Sequence, residues 1–245
     1  MKRSLDNLSK YKVETTDGTK GKIRDFLFDE ESWIVRYIDA DFGNLFKDRR
    51  ILIPVVLVGE PDWDEKVFPI KLSEDKLDDI PHLEDKVSVS REYEMELSKY
   101  YDINYYWLPG YTMTAAPTML FPPRPLRVPV KEVEEEELDT SLRSYYEILG
   151  YQINASDGKL GSVKEIIIDE EDFQIVYAVL DTSNWLPWSK KVLLPINWLE
   201  KISYVNREVT INLKTDTIKD APEYEGTVSL NAELENVLYD FFRNT

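Results

Sequence analysis

Two residue types that often carry chemistry are absent or nearly absent from this chain. None of its 245 residues is a cysteine, which excludes disulfides, thiolate metal ligands and a cysteine nucleophile. The only histidine is His82, so a Ser-His-Asp triad or a histidine metal site would have to use it. We expect His82 to lie in a surface loop, since Pro81 precedes it. A chain without cysteine suits a reducing compartment, and we expect a cytoplasmic protein.

Basic side chains are also too few for a nucleic-acid-binding protein. The 30 Lys and Arg against 47 Asp and Glu give a net charge of -17. Residues 1–104 carry 17 basic and 24 acidic groups, residues 105–140 carry 3 and 6, and residues 141–245 carry 10 and 17. Because the acidity is spread evenly, neither half offers the basic patch that releases counterions from nucleic acid. We expect no direct binding of nucleic acid.

No long apolar run free of helix-breaking residues is present. Residues 103–123 lack charge over 21 positions, which is long enough to span a bilayer. This stretch contains Pro109, Gly110, Pro117, Pro122 and Pro123, which would leave backbone groups unpaired in lipid. The N-terminus has two basic residues but no apolar segment after them, which argues against a signal peptide. We expect no membrane insertion.

The chain does contain an internal repeat with a period of 140 residues. Shifted by that amount, residues 13–43 lie over residues 153–183 with 8 identities in 31 positions. The identical pairs are Asp17/Asp157, Gly18/Gly158, Gly21/Gly161, Asp29/Asp169, Glu30/Glu170, Glu31/Glu171, Tyr37/Tyr177 and Asp41/Asp181. After a one-residue slip, Pro54 lies over Pro195 and Pro81 over Pro222. The chain is therefore two diverged copies of one module.

Each copy is predicted to be mainly β. Short segments rich in β-branched and aromatic residues alternate with turn residues, a pattern typical of a barrel or sandwich. Asp17-Gly18 and Asp157-Gly158 are predicted hairpin turns in which Gly18 and Gly158 adopt positive φ. Gly21 and Gly161 follow three residues later, and we expect all four glycines to be structural.

A helix is predicted at the end of each copy. Apolar side chains recur with helical spacing over residues 88–101 and 230–242. Ser90 and Asn231 are suitable N-caps, since an acidic residue stands in the first turn after each. We expect a first module over 1–104, a proline-rich and then acidic linker over 105–140, and a second module over 141–245.

The motif of the second copy resembles that of the PRC-barrel family. Its residues 150–161 read Gly-Tyr-Gln-Ile-Asn-Ala-Ser-Asp-Gly-Lys-Leu-Gly, and Asp169 and Phe173-Gln174-Ile175-Val176-Tyr177 follow. The first copy fits less well at its start, where Lys10-Tyr11 replaces Gly-Tyr. The sequence most resembles bacterial proteins with two such modules. The resemblance implies two tandem six-stranded PRC-type β-barrels, each followed by a helix.

The same resemblance implies docking onto protein or ribonucleoprotein, with no catalytic residue and no cofactor. We expect a non-enzymatic scaffold that binds an unidentified protein partner and can form a homodimer. One alternative is a ribosome or RNA-processing assembly factor, because the C-terminal domain of the ribosome maturation factor RimM resembles this module. Another is an accessory protein like the photosynthetic reaction-centre H subunit, whose cytoplasmic domain is also similar.

Candidate sites other than a docking surface are weak. The acidic corners at residues 29–31 and 169–172 supply oxygen ligands, but they lack the Asp-x-Asp-x-Asp-Gly spacing of a calcium loop. Tyr37 and Tyr177 stand at equivalent places in predicted strands, where packing with a hydrogen-bonded hydroxyl is expected. The sequence therefore indicates neither a catalytic nor a metal site.

An aromatic cluster after the first helix is the most unusual feature. Its members are Tyr100, Tyr101, Tyr105, Tyr106, Trp107 and Tyr111. Tyrosine and tryptophan are enriched at interface hot spots, so the cluster could bind a partner. Large rings are also core formers, and the cluster could instead join the two barrels. We expect burial of Trp107 and Tyr111 between the barrels or in a homodimer contact.

Overall fold

The computed structural model describes residues 1–43, 49–81, 89–107, 141–182, 190–226, 230 and 232–243. Within these ranges the chain is mainly β, with two sheets and a few short helices, as the sequence predicts. His82 and Tyr111 lie outside the described residues.

The first copy begins with a short strand and a one-turn helix and ends with a longer helix. Its elements are β1 (Lys2–Ser4), α1 (Leu5–Leu8), β2 (Lys12–Glu14), β3 (Lys20–Asp29), β4 (Ile34–Asp41), β5 (Arg50–Pro54), β6 (Val67–Pro69), α2 (Glu74–Leu77) and α3 (Arg91–Tyr101). A 3-10 turn at Val55–Leu57 follows β5.

The second copy repeats this order with one strand added after the 3-10 turn. Its elements are β7 (Leu142–Ser144), α4 (Tyr145–Ile148), β8 (Gln152–Ala155), β9 (Gly158–Asp169), β10 (Ile175–Asp181), β11 (Lys191–Pro195), β12 (Leu199–Ser203), β13 (Glu208–Ile211), α5 (Thr215–Asp220) and α6 (Ala232–Arg243). A 3-10 turn at Ile196–Trp198 separates β11 from β12.

Both sheets are open paths within the described ranges. The first runs β5-β4-β3-β2-β6 and the second runs β11-β10-β9-β8-β13-β12. The sequence led us to expect closed six-stranded barrels, and the described strands do not form such a ring. The chain leaves β5 and β11 through 3-10 turns, and these two strands remain at the sheet edges.

Two arms cross between the copies. Strand β1 pairs with β9 of the second copy, and β7 pairs with β3 of the first copy. We call residues 2–8 the first arm and residues 142–148 the second arm. Each arm therefore completes the sheet of the other copy, and one hydrophobic core runs through both.

The burial pattern of β3 reflects this exchange. Residues 20–24 alternate between exposed and buried, as expected for a strand with one solvated face. Residues 26–29 are all buried, because the second arm pairs with the strand there at Leu27, Phe28 and Asp29.

The four glycines that have the same spacing in both copies occupy different conformations and environments. Gly18 has φ +89° in the turn before β3, as predicted. Gly158 was predicted to have positive φ, and this is wrong. It is the first residue of β9 and pairs with Ala155 across a two-residue turn, so the special conformation is not needed. Gly161 has φ +97° and Gly21 packs against the Phe42 ring.

The predicted cap of the first long helix is confirmed. The Ser90 hydroxyl accepts from the backbone N–H of Tyr93 at 3.2 Å, and the helix begins at Arg91 rather than at residue 88. Asp102 ends it in the left-handed conformation, with φ 53°. Helix α6 begins at Ala232, and its predicted cap Asn231 lies outside the described residues.

Candidate functional site

Three half-buried rings follow α3 and contact one another. The rings of Tyr105 and Trp107 are nearly parallel, with centroids 4.9 Å apart and planes 9° apart. Tyr106 meets Trp107 edge-on at a centroid distance of 4.9 Å. The guanidinium of Arg91 lies 4.1 Å from the centre of the Trp107 ring, within cation–π distance. We call these four residues the aromatic face.

A buried carboxylate anchors the aromatic face. Glu94 is fully buried on α3 and accepts from Arg91 Nη1 at 3.1 Å and from the Tyr106 hydroxyl at 2.7 Å. A buried carboxylate is tolerated only when it is paired in this way. Burial and the charge of Glu94 raise the pKa of Tyr106. The phenol therefore stays protonated and remains a donor to Glu94.

Arg36 supports the same face from β4. Its guanidinium lies 4.3 Å from the centre of the Tyr106 ring, and its Nη2 atom is 3.6 Å from Asp29 Oδ2. Burial opposes ionisation of Asp29, but hydrogen bonds from Ser141 and Ser32 outweigh it and lower the pKa of Asp29. The carboxylate is therefore available to balance Arg36.

The other two rings of the predicted cluster fasten α3 to the first copy. The Tyr101 hydroxyl donates to the Leu52 carbonyl oxygen at 2.8 Å, and the Tyr100 hydroxyl donates to the Lys76 carbonyl oxygen. These contacts, like those of the aromatic face, are with first-copy residues. We expected this cluster to join the two copies. In the described part of the chain, other residues make that contact.

The second copy differs at the matching positions. Val176 stands where the first copy has Arg36, so β10 presents no guanidinium there. Helix α6 instead packs Phe242 against Trp198, with ring centroids 6.3 Å apart. Among the described residues, only the first copy therefore has an aromatic face.

The joint between the copies uses the two arms in a symmetric way. Arg3 of the first arm pairs with Glu170 and lies 3.5 Å from the centre of the Trp63 ring. Arg143 of the second arm lies 2.6 Å from Glu30.

Tyr204 completes the second of these contacts. The Arg143 guanidinium lies 4.5 Å from the centre of the Tyr204 ring, whose hydroxyl donates to Glu30 Oε2 at 2.7 Å. Each arginine thus stacks on a ring of its own copy and pairs with a carboxylate of the other. The acidic corners considered above as metal ligands supply both carboxylates.

The hairpin tips of the two copies also meet. The Val35 N–H donates to the Phe173 carbonyl at 3.0 Å, and the Ile175 N–H donates to the Trp33 carbonyl at 2.7 Å. Trp33 and Phe173 have φ 57° and 58°, a conformation that is strained for bulky residues. Strain of about 1–3 kcal/mol at each position persists because the paired strands determine the backbone there.

One carboxylate at the joint titrates unusually. Asp25 on β3 accepts from the Ser144 hydroxyl and from the backbone N–H of Tyr146, both in the second arm. Burial raises the pKa of Asp25 to about 6, although these hydrogen bonds act against the rise. Asp39 lies opposite on β4 and adds to the rise.

Sequence reasoning missed the arms, although a signal for them was present. Arg3-Ser4 and Arg143-Ser144 recur with the same period of 140 residues, ahead of the segment in which we recognised the repeat. Both serines cap the one-turn helix that follows them. A repeated cap before a short helix indicates that an element recurs in both copies. It does not indicate in which sheet the strand before that helix pairs.

Two classes of site have little support in the described ranges. No group of three or more His, Asp or Glu side chains there is placed to hold a metal ion. None of the helices described is long and apolar enough to cross a membrane. Tyr37 is buried, as expected, and burial raises the pKa of its phenol.

A family model for the PRC-barrel domain matches residues 2–77 and 142–218, which together are more than half of the chain. The chain belongs to the PRC-barrel family. Each match begins at an arm, so both PRC-barrel modules of this protein include a strand that pairs in the sheet of the other. PRC-barrel domains are generally protein-interaction modules and are typically non-catalytic. A search of curated proteins found no match.

Proposed function

We propose that this PRC-barrel protein is a non-catalytic scaffold that docks a protein partner on the aromatic face of its first copy. The observation that carries the proposal is the half-buried Tyr105–Trp107 stack, held by Arg91 above a fully buried carboxylate. Preorganised aromatic and arginine side chains are the groups that dominate binding energy at interfaces.

The charge of the protein favours a basic partner. The chain carries a net charge of -17, and Glu92, Glu96 and Asp102 are exposed on or just after α3, the helix that supplies Arg91. Acidic groups around an apolar centre accelerate association with a basic surface and disfavour acidic competitors. The docked surface should therefore combine lysine or arginine with apolar anchors.

The environment of the site supports a binding role rather than catalysis. Arg91, Glu94 and Tyr106 are engaged with one another, and the raised pKa of Tyr106 keeps its proton in place at neutral pH. A general base needs a pKa close to the working pH and access to a substrate. These groups are therefore suited to hold a shape rather than to transfer a proton.

A ribosome-assembly role is the second candidate, and the acidity is the observation that favours it. An acidic protein suits contact with a basic ribosomal protein, whereas its charge disfavours direct contact with RNA. The same binding experiment distinguishes this role, because ribosomal proteins would then be the captured partners.

The test compares two surface variants in affinity capture from native lysate. The variant with Tyr105→Ser and Trp107→Ser should keep its fold and lose the captured partner. The control is Tyr239→Ser, which removes a ring that is 63% exposed on α6 of the second copy. Circular dichroism and thermal melting check folding. If the double variant folds and still captures every protein that the parent captures, docking at the aromatic face is wrong.

A further inference from the structure

The two arms are not interchangeable, because their first residues differ in charge. Lys2 of the first arm stands where the second arm has Leu142. The Lys2 ammonium is 3.3 Å from Asp169 and 3.0 Å from Glu235 on α6. The hydrogen bond to Glu235 raises the pKa of Lys2, although burial acts against it, so this group stays charged.

The N-terminal amine strengthens the same contact. It lies 3.6 Å from Asp169 and 3.3 Å from Glu170. The receiving surface of the second copy thus places three carboxylates around the start of the first arm. Leu142 in that position would leave Asp169 and Glu235 without the lysine that they now contact.

The receiving surface of the first copy is different. Leu142 pairs with Asp29, and both residues are buried. Asp29 is already engaged by Arg36 and by hydrogen bonds from serines. A lysine in place of Leu142 would have to bury an ammonium beside a carboxylate that Arg36 already balances, which is costly.

The serine contacts are matched in length as well. Ser4 donates to Glu165 and Ser144 donates to Asp25, at equivalent places on β9 and β3. Glutamate is one methylene longer than aspartate, so the carboxylate that meets Ser4 extends further from its strand than the carboxylate that meets Ser144. Exchange of the arms between the two receiving surfaces would disturb both contacts.

From this pairing we infer that the two halves of the chain are selective partners for one another, held together without their covalent connection. The arm of each half fits the receiving surface of the other half better than it would fit the receiving surface on a second copy of its own half. The hairpin tips and the shared core add to the contact, with Phe68 and Phe173 of different copies 6.5 Å apart. This inference concerns assembly and does not depend on the proposed docking function.

The experiment cuts the full-length protein after it has folded. A recognition sequence for a specific protease replaces residues 132–137, and the purified protein is cleaved completely. The halves should stay together as a 1:1 complex at about micromolar concentration in gel filtration and native mass spectrometry. Separation into single halves, or rearrangement into pairs of identical halves, would overturn the inference.

Charge variants test whether the first arm provides the selectivity. In the cleaved protein, Lys2→Glu should weaken the complex by roughly tenfold or more, because it places like charges together at the contact. Glu235→Lys combined with Lys2→Glu should restore much of that loss.

The matched control is Lys20→Glu, since Lys20 is exposed and pairs with Glu14 of its own copy. It should change the dissociation constant little. Equal effects of the variants at Lys2 and Lys20, or no rescue by Glu235→Lys, would contradict a matched arm. Loss of a captured partner with an intact complex would bear only on the docking function, so the two proposals fail separately.

Discussion

Replacement of Gly161 by alanine is expected to destabilise the protein strongly. Its φ of +97° is a conformation in which an L residue is strained by about 1–2 kcal/mol. A β-carbon there would also overlap the carbonyl oxygen of Asp181 and lie 3.1 Å from the Cα atom of Thr182. Both neighbours are backbone atoms and cannot turn aside, so overpacking adds about 1–3 kcal/mol. The expected loss in free energy of unfolding is about 2–5 kcal/mol.

Gly158→Ala is the matched control, three residues away on the same strand. Its φ lies outside the left-handed region, and a β-carbon would meet only Thr215, at 3.8 Å. Alanine is better than glycine within a strand by roughly 0.5–1 kcal/mol, so this variant should be neutral or slightly more stable. Urea unfolding followed by tryptophan fluorescence measures both. Equal stability of the two variants would refute the reasoning.

Three further predictions concern buried charge and partner chemistry. Asp25→Asn should stabilise the protein at pH 7 by up to about 3 kcal/mol, because the pKa of Asp25 is about 6 in the folded state against 3.8 ordinarily. A raised carboxyl pKa lowers stability as pH rises from about 4 to 6, so thermal melts should show the gain vanish towards pH 4. Glu94→Ala should cost about 3–5 kcal/mol in urea unfolding, since it removes the buried carboxylate that Arg91 and the Tyr106 hydroxyl contact, and a loss below about 1 kcal/mol would contradict this. Gel-shift assays at physiological salt should show no retardation of RNA or duplex DNA, and micromolar binding would contradict the prediction.

The local structure of each copy could be read from its residues. The glycine and proline spacing predicts the repeat and the strand boundaries, since those residues act through their own backbone. Ser90 was a predictable cap because its hydroxyl bonds to an N–H only three residues away. The role of Gly158 could not be read in this way. The same Asp-Gly pair closes a tight two-residue turn in one copy and a longer loop in the other, and the rest of the hairpin decides which.

The candidate site was only partly visible in the sequence. The rings after α3 stood out by their number, but their support did not. Glu94 and Arg36 are 58 residues apart in the chain and meet around Tyr106 only because the fold brings Tyr106 next to β4. Charged residues at single positions give no sign of burial, since most such residues are solvated.

The residues alone predict two copies of one β module, each with a closing helix. The exchange of the first strands between the copies is visible only in the folded structure. The receiving edges carry Asp29 and Asp169 at equivalent places, and the residues that distinguish the two arms, Lys2 and Leu142, act through contacts with the other copy rather than within their own strand. The choice depends on contacts that form only when both copies are folded, such as Lys2 with Glu235 and Arg143 with Glu30. Local preference specifies a strand, whereas its partner is set by the packing of the whole chain.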